Sequence, residues 1–359
     1  MKQLKLLAKY NFEDFLKKYK EQRPKSSRSP KGQSSNPDAR PLNEFIEYFY
    51  MSKQGSLAPS SISNYQKKIE RYITPKFGKV PVAEIKPLQI QRWLLEDLSH
   101  LSNKTVKDLV CFLNQIFLLA ILDDAIMVNP LDKLKAGNVL KLKSVAPEPQ
   151  PFTDDEIQKI VSTPTSRKSE INLFHFNCYT GLRLGESMAL SWTDIDLAKQ
   201  TLHVNRSVVN NTYKSPKNAS SQRTIKLLPQ AIAVLERQLQ LARLKPQTLE
   251  VLTCDNKTMR KDNVCFVFYN SNTMLPFDND NQYRQRFFQN HLKKAGVVYR
   301  GANQARHTYA SHLVSAGLPL TWVARQMGHT SIKMIEKHYA KWMPTHEDKF
   351  ANLASQAFS

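Results

Sequence analysis

Apolar residues recur at helical spacing from position 42 to about 127, and the pattern then stops at a proline-rich segment. Leu42, Phe45, Ile46 and Phe49 mark one face of a first helix behind Pro41, whose fixed φ suits the first helical position. Residues 60–73, 87–98 and 103–127 read the same way, each amphipathic or broadly apolar and each ending near turn residues. The spacing predicts a small all-helical unit closing near Gly137. Residues 139–151 (VLKLKSVAPEPQP) then hold three prolines and no period, which marks a linker.

Beyond the linker the pattern is mixed. Thr153, Asp154 and Glu156 form the start of a capped helix. A strand pair is expected at roughly 201–209 and 223–228, joined by a polar loop at 210–222. Helices return at 230–244, 280–294, 304–316, 320–327 and 332–339. A chain of 359 residues suits two globular parts. The expected fold class is therefore mainly α with a small β component: an all-helical domain, then a mixed α/β domain.

Charge narrows the partners. Lys and Arg number 52 against 31 Asp and Glu, a net of +21. A polyanion is the natural counterpart, and nucleic acid fits best because phosphate neutralisation releases condensed counterions. Residues 1–40 hold eleven basic and four acidic side chains. Within them, 24–38 (PKSSRSPKGQSSNPD) reads as a flexible linker. It follows a short apolar cluster, Tyr10, Phe12, Phe15 and Leu16. No apolar run approaches the roughly 18 residues of a membrane span, the N-terminus lacks a signal-peptide pattern, and neither a basic amphipathic helix nor a lipidation motif stands out. No membrane partner is expected. Cys111, Cys178, Cys254 and Cys265 are scattered, against a disulfide framework or a CxxC metal site, and fit a reducing cytoplasm. No metal or cofactor is expected either, since no P-loop or ligand cluster is present.

Three segments carry chemistry. In residues 180–186 (TGLRLGE) a glycine turn precedes Arg183, and Glu186 follows at a spacing that suits an ion pair. Residues 302–311 (ANQARHTYAS) place Arg306 at a helix start, where backbone N–H groups favour an anion. Two planar guanidinium forks are what a pentacoordinate phosphate needs. Residues 326–339 (QMGHTSIKMIEKHY) give a glycine turn, His329 and then Tyr339. Each piece alone has a plainer reading: a surface Arg–Glu pair, a capping histidine, and a tyrosine that packs on one helical face with Ile332 and Ile335.

Taken in order, GLRLGE, a lysine-bearing hairpin, RHTYASHL, MGH and a tyrosine ten residues on resemble the catalytic domain of tyrosine recombinases, the lambdoid phage integrases in particular. The resemblance covers about 150–343, and the helical region is similar in placement to the family's core-binding domain. It implies a basic segment and linker at 1–40, in which Tyr10 to Lys20 reads either as the remnant of an arm-binding domain or as the end of one that starts earlier, and a helical core DNA-binding domain at 41–137. A linker at 138–151, a catalytic domain at 152–343 and a tail at 344–359 follow. It also implies Arg183 and Arg306 as phosphate-binding arginines, Glu186 as supporting acid, His329 as the third-box histidine and Tyr339 as nucleophile. The hairpin lysine is Lys217, whose KNASSQRTI context is similar to the family's, or Lys214. The implied partners are double-stranded DNA attachment sites, a homo-tetramer on paired sites, and accessory DNA-bending or directionality proteins, in the nucleoid of a bacterial cytoplasm. The implied reaction is strand exchange through a 3′-phosphotyrosyl link, without ATP or metal.

One position departs from the pattern. Where the family usually has histidine, this chain has Asn303, which can donate a hydrogen bond but cannot carry a proton. Asn303 reads either as a phosphate contact or as the N-cap of the helix that bears Arg306. His307, directly after that arginine, is implied to be structural support. Two rivals stand beside recombination: supercoil relaxation of the type IB topoisomerase kind, and DNA binding without catalysis.

Overall fold

The structure, a computed structural model, describes residues 40–136, 148–216, 221–241 and 245–342. The segment before position 40, most of the linker at 138–151, Lys217 and the tail lie outside the described residues. The chain divides into two units, with the division between Val145 and Ala146.

Five helices make up the described part of the first unit: α1 (Leu42–Lys53), α2 (Pro59–Lys68), α3 (Pro87–Arg92), α4 (Asn103–Leu122) and α5 (Pro130–Ala136). Helix α2 continues through a π-helical stretch (Ile69–Ile73) into a further turn (Thr74–Phe77), and α3 ends in a π-helical stretch (Trp93–Asp97). Ser102 sets the start of α4, its hydroxyl accepting the Thr105 N–H at 3.3 Å. From there Val106, Leu109, Phe112, Leu113, Ile116, Phe117 and Ala120 are buried on one stripe, packed with Leu42, Phe45 and Phe49 of α1. Each such side chain contributes on the order of 2 kcal/mol of transfer free energy. Helix α4 is 20 residues long with a mean hydropathy of 1.7 over an 18-residue window, so by length and composition it reaches the membrane range that no run was expected to approach. Its buried stripe and the Lys68–Asp108 pair that ties it to α2 make it the core helix of this unit, although Leu118 and Leu122 stay exposed.

The second unit opens with α6 (Asp154–Ser162), where Thr153 and Glu156 form the reciprocal cap that their spacing predicts. Helix α7 (Lys168–Thr180) follows at the centre of the fold, then the short α8 (Leu184–Met188). Strands β1 (Ile195–Asp196), β2 (Thr201–Val204), β3 (Ser207–Val209), β4 (Thr212–Lys214) and β5 (Arg223–Lys226) come next, then α9 (Pro229–Leu239), β6 (Gln247–Leu252) and β7 (Met259–Val264). Helix α10 (Asp280–Tyr283) runs on through a π-helical stretch (Arg284–Phe288) and a final α-helical one (Gln289–Lys294). Helices α11 (Gln304–Ser315), α12 (Leu320–Met327) and α13 (Lys333–Tyr339) complete the unit. Sheet order is β1-β2-β5 and β3-β4-β6-β7, with β4 and β6 parallel and the other pairs antiparallel. Phe174 of α7 meets Phe152 at 5.2 Å and Phe288 at 5.3 Å between ring centroids, and α7 packs on α9 and α11.

The strand pair expected at 201–209 and 223–228 forms as β2 and β5, with Thr201 opposite Lys226 and Val204 opposite Arg223. The first strand does not continue to position 209. At Arg206 the chain turns inward and enters the second sheet as β3, because the buried guanidinium binds Asp194 and, at 2.8 Å, Asp262. The expected polar loop at 210–222 accordingly contains β4, paired with β3. Helix α9 ends at Leu239, short of the expected 244. Helix α7 and the β6–β7 hairpin were not anticipated. Ten of the thirteen residues of α7 are buried, so it has no polar face to reveal a period, whereas β6 and β7 are mostly exposed and polar.

Arg206 holds the junction of the two sheets from a buried position, through its two aspartates and the Ala189 carbonyl. Arg206→Met should therefore cost about 3–5 kcal/mol, since Asp194 is left buried and unpaired. Urea unfolding of the full chain would measure it. A loss below about 1 kcal/mol would show that the junction does not depend on this network.

Candidate active site

Two glycine turns position the site. Helix α7 ends at Gly181, with φ +62°, where a Cβ would lie 2.4 Å from the Tyr309 ring. Helix α12 ends at Gly328, with φ +68°, where a Cβ would lie 2.8 Å from the Arg223 guanidinium. Only glycine meets both the left-handed backbone and the crowding at these two points. The first turn delivers Arg183, and the second delivers His329.

Arg306, in the first turn of α11, joins them. The residue is 8% exposed, and its guanidinium donates to Gly181 O at 2.5 Å, to Met327 O at 2.7 Å and to His329 Nε2 at 2.8 Å. Burial, with Arg183 beside it, pushes Arg306 down to about 9, so it is still protonated at pH 7. Because Nε2 of His329 accepts from an arginine, its proton is assigned to Nδ1. That Nδ1 is buried and has no partner among the described residues. Burial and then the charges of Arg306, Arg183 and Arg223 push His329 down to about 3, so the ring is neutral.

Glu186 is the anionic centre of the arrangement. Arg183 precedes α8 as its cap residue, and the Glu186 carboxylate accepts both its backbone N–H (3.0 Å) and its Nη1 (2.8 Å). The pair thus closes the end of a helix instead of lying along one face. On its other side Glu186 takes Arg223 Nη2 at 3.1 Å. Burial works to raise the Glu186 carboxyl, but Arg223, helped by Arg183 and Arg306, outweighs it and holds the group below the usual carboxylate range. Arg183 keeps 45% of its side chain exposed, so its guanidinium can still meet an incoming anion.

Tyr339 is 2% exposed, on the inner face of α13 with Ile335. Its hydroxyl lies 2.6 Å from His307 Nδ1. Burial pushes the phenol up to about 12, against the lowering pull of Arg306. Burial and Arg306 push His307 down to about 4. Asn303 does not cap α11: it has helical backbone angles and no side-chain cap bond. Its Oδ1 instead accepts the Leu184 N–H at 3.4 Å, which ties the α11 start to the Arg183 turn.

A match to the phage integrase family model spans residues 150–346, and a match to that family's N-terminal SAM-like domain spans 42–96. The chain belongs to the phage integrase family. It is 28% identical over 84% of its length to a XerC-like tyrosine recombinase of Caldanaerobacter subterraneus, covering 79% of that protein. It is 23% identical to the ICEBs1 integrase of Bacillus subtilis, over 86% of this chain and 80% of the other. In fold it is similar to the Tn1549 transposon integrase solved with a circular intermediate DNA, at a TM-score of 0.70 and 20% identity, over 88% of this chain and 99% of that one.

The integrase thus brings Arg183, Glu186, Arg306, His307, His329 and Tyr339 into one region of its second unit, with Asn303 at the edge. Lys217 lies outside the described residues, and Lys214 ends β4 opposite Ser207. Two features escaped the sequence reading. Arg223 was seen only as part of a strand, yet it is buried and also donates to Gln326 O at 2.9 Å. The signal was its phase, since Arg223 and Ile225 alternate inward while Thr224 and Lys226 face out. The contact of His307 with Tyr339 had no signal in sequence, because the two residues belong to different helices.

Glu186→Gln should destabilise the integrase by about 3–5 kcal/mol at pH 7, because Arg223 loses its buried counter-charge. The Glu186 carboxyl is held below its unfolded value of 4.5, so its contribution is present above that pH and is lost as pH falls through the folded value. The gap between wild type and Glu186→Gln should close in acid. Paired urea titrations at pH 7 and in the acid range would check this, and a constant gap would remove the carboxylate charge from the account.

Proposed function

We propose that this integrase is a tyrosine-type site-specific recombinase whose nucleophile is Tyr339 and whose substrate is double-stranded DNA. The observation that carries the reading is the bonding of Arg306, which draws the Gly181 turn, the Met327 turn and His329 around one cation. That leaves Arg183, the Arg306 region and the unpartnered Nδ1–H of His329 as donors to non-bridging phosphate oxygens as charge builds on them.

In the proposed reaction the Tyr339 oxygen attacks the phosphorus, the bond to the 5′-oxygen breaks, and a 3′-phosphotyrosyl link retains the bond energy for rejoining. Lys217 is the proposed acid for the departing oxygen, by the resemblance of its sequence context, and Lys214 is its alternate. Asn303 is proposed to donate to the phosphate through its amide NH2, since Oδ1 is taken up by Leu184. The net charge of +21 supports DNA as partner, as do relatives solved on DNA, among them a lambda integrase tetramer bound to a Holliday junction. A homo-tetramer on paired attachment sites, accessory DNA-bending or directionality proteins, and a place in the bacterial nucleoid belong to the same proposal. So does the division of labour: core-site binding by 41–137 and catalysis by 152–343.

Tyr339→Phe should abolish the covalent protein–DNA adduct on a nicked suicide duplex spanning the junction between the mobile element and its host DNA. The ring and its packing remain, so binding to that duplex should be retained. An adduct that persists would mean another nucleophile, and no adduct even with wild type would leave DNA binding without catalysis. Asn303→Asp tests the second contact. The carboxylate still accepts from Leu184, but when ionised it cannot donate, so single-turnover cleavage should fall by roughly 10² to 10³. Cleavage by Asn303→Asp at the wild-type rate would show that position 303 serves only to hold the Leu184 turn.

A further inference from the structure

We propose that His307, through Nδ1, is the base that takes the phenolic proton of Tyr339 as its oxygen attacks phosphorus. This rests on the recombinase reading above and adds to it the destination of one proton. The contact is direct: the Tyr339 hydroxyl lies 2.6 Å from His307 Nδ1, and with the proton of the neutral ring assigned to Nε2 the hydroxyl donates. It joins α11 to α13, so the pair forms only if the two helices pack as they do here.

The step balances without another reagent. The bond from the Tyr339 oxygen to phosphorus forms, the bond from phosphorus to the 5′-oxygen breaks, and the phenolic proton passes to His307 Nδ1. The departing oxygen takes its proton from the acid on the leaving side. On rejoining, the attacking 5′-hydroxyl returns that proton to the same acid, and His307 gives its own back to the tyrosine oxygen.

Two further observations place the base at 307 and not at 303. Asn303 has no basic lone pair, and its Oδ1 faces the Leu184 N–H. His307 and Arg306 are neighbours on one helix and point about 100° apart. Arg306 thereby reaches the two glycine turns while His307 reaches the nucleophile.

The charged and titratable groups around His307 fit an acceptor. Arg306 on its own helix and His338 on α13 add to burial in keeping the ring neutral at pH 7, so Nδ1 has its lone pair. Tyr339, also on α13, is the third neighbour. A phosphodiester bound near Arg306 offsets the positive charge that weakens His307, so the base strengthens as substrate arrives.

Single-turnover cleavage of the nicked junction duplex by the full chain, followed from pH 5 to pH 9.5, tests the assignment. Wild type should be nearly level up to about pH 8, with His307 already neutral and Arg306 still protonated. His307→Asn and His307→Gln can accept a hydrogen bond but cannot hold the proton, so they should cleave about 10² to 10⁴ times more slowly. Their rates should climb with pH as hydroxide takes over. Added imidazole should restore part of the activity of His307→Ala, which a purely structural role would not allow. Thermal melting of each variant separates misfolding from lost chemistry. Cleavage within about threefold of wild type with an unchanged pH profile would overturn the assignment, as would faster cleavage, which would make the contact a latch. Wild type that forms no adduct would overturn the recombinase reading itself, and the assignment with it.

Discussion

A guanidinium almost closed off from water needs partners for its donors, and Arg306 turns three of its five N–H groups to two backbone carbonyls and a histidine nitrogen. The carbonyls belong to residues 181 and 327, far apart in sequence and each at the end of a helix. Satisfying one cation therefore pins the C-termini of α7 and α12 against the start of α11. Helix ends offer unpaired carbonyls and a negative dipole end, so the same geometry that closes two helices also offsets the cost of burying the charge. Remove the arginine and both turns lose the reason to meet.

A second cation repeats the device one layer away. Arg223 leaves β5 to bind Glu186 and the Gln326 carbonyl, and Gly328 has no side chain because Arg223 occupies that space. The three arginines repel one another, and Glu186 is the single carboxylate among them in the described residues. A net positive site held together by one buried anion is poised for a second anion from outside. This links stability to function: the arrangement that is electrostatically incomplete in the folded chain is completed by a phosphate.

Much of this was legible in the sequence, and the limits are physical. Four helices of the first unit were visible because each has one wet face, while the short α5 was not, and the cap at Thr153 was visible because its two partners are three residues apart. The fully buried α7 lacked such a face, and the exposed β6–β7 hairpin lacked a dry one. Arg183, Glu186, Arg306, His329 and Tyr339 stood out because glycine turns and fixed spacings surround them. Asn303 was read as a cap or a phosphate contact, and its side chain turned out to accept from Leu184, a choice that depends on how α11 meets the Arg183 turn. Contacts across elements, such as Arg223 with Glu186, are set by packing and leave no local pattern.

The neutrality of both histidines follows from the same charge balance. His329 and His307 flank Arg306, one against its guanidinium and the other one residue along its helix, and both are kept unprotonated by burial and by that arginine. Their tautomers then differ by what they touch. His329 accepts at Nε2, so it presents a donor at Nδ1, whereas His307 accepts at Nδ1 from the phenol. One buried cation thus turns two like side chains into opposite instruments, a hydrogen-bond donor suited to phosphate oxygen and a lone pair suited to a proton. Had the His307 ring been charged, it could still donate but not accept, and the site would have no neutral base in contact with the Tyr339 hydroxyl among the described residues.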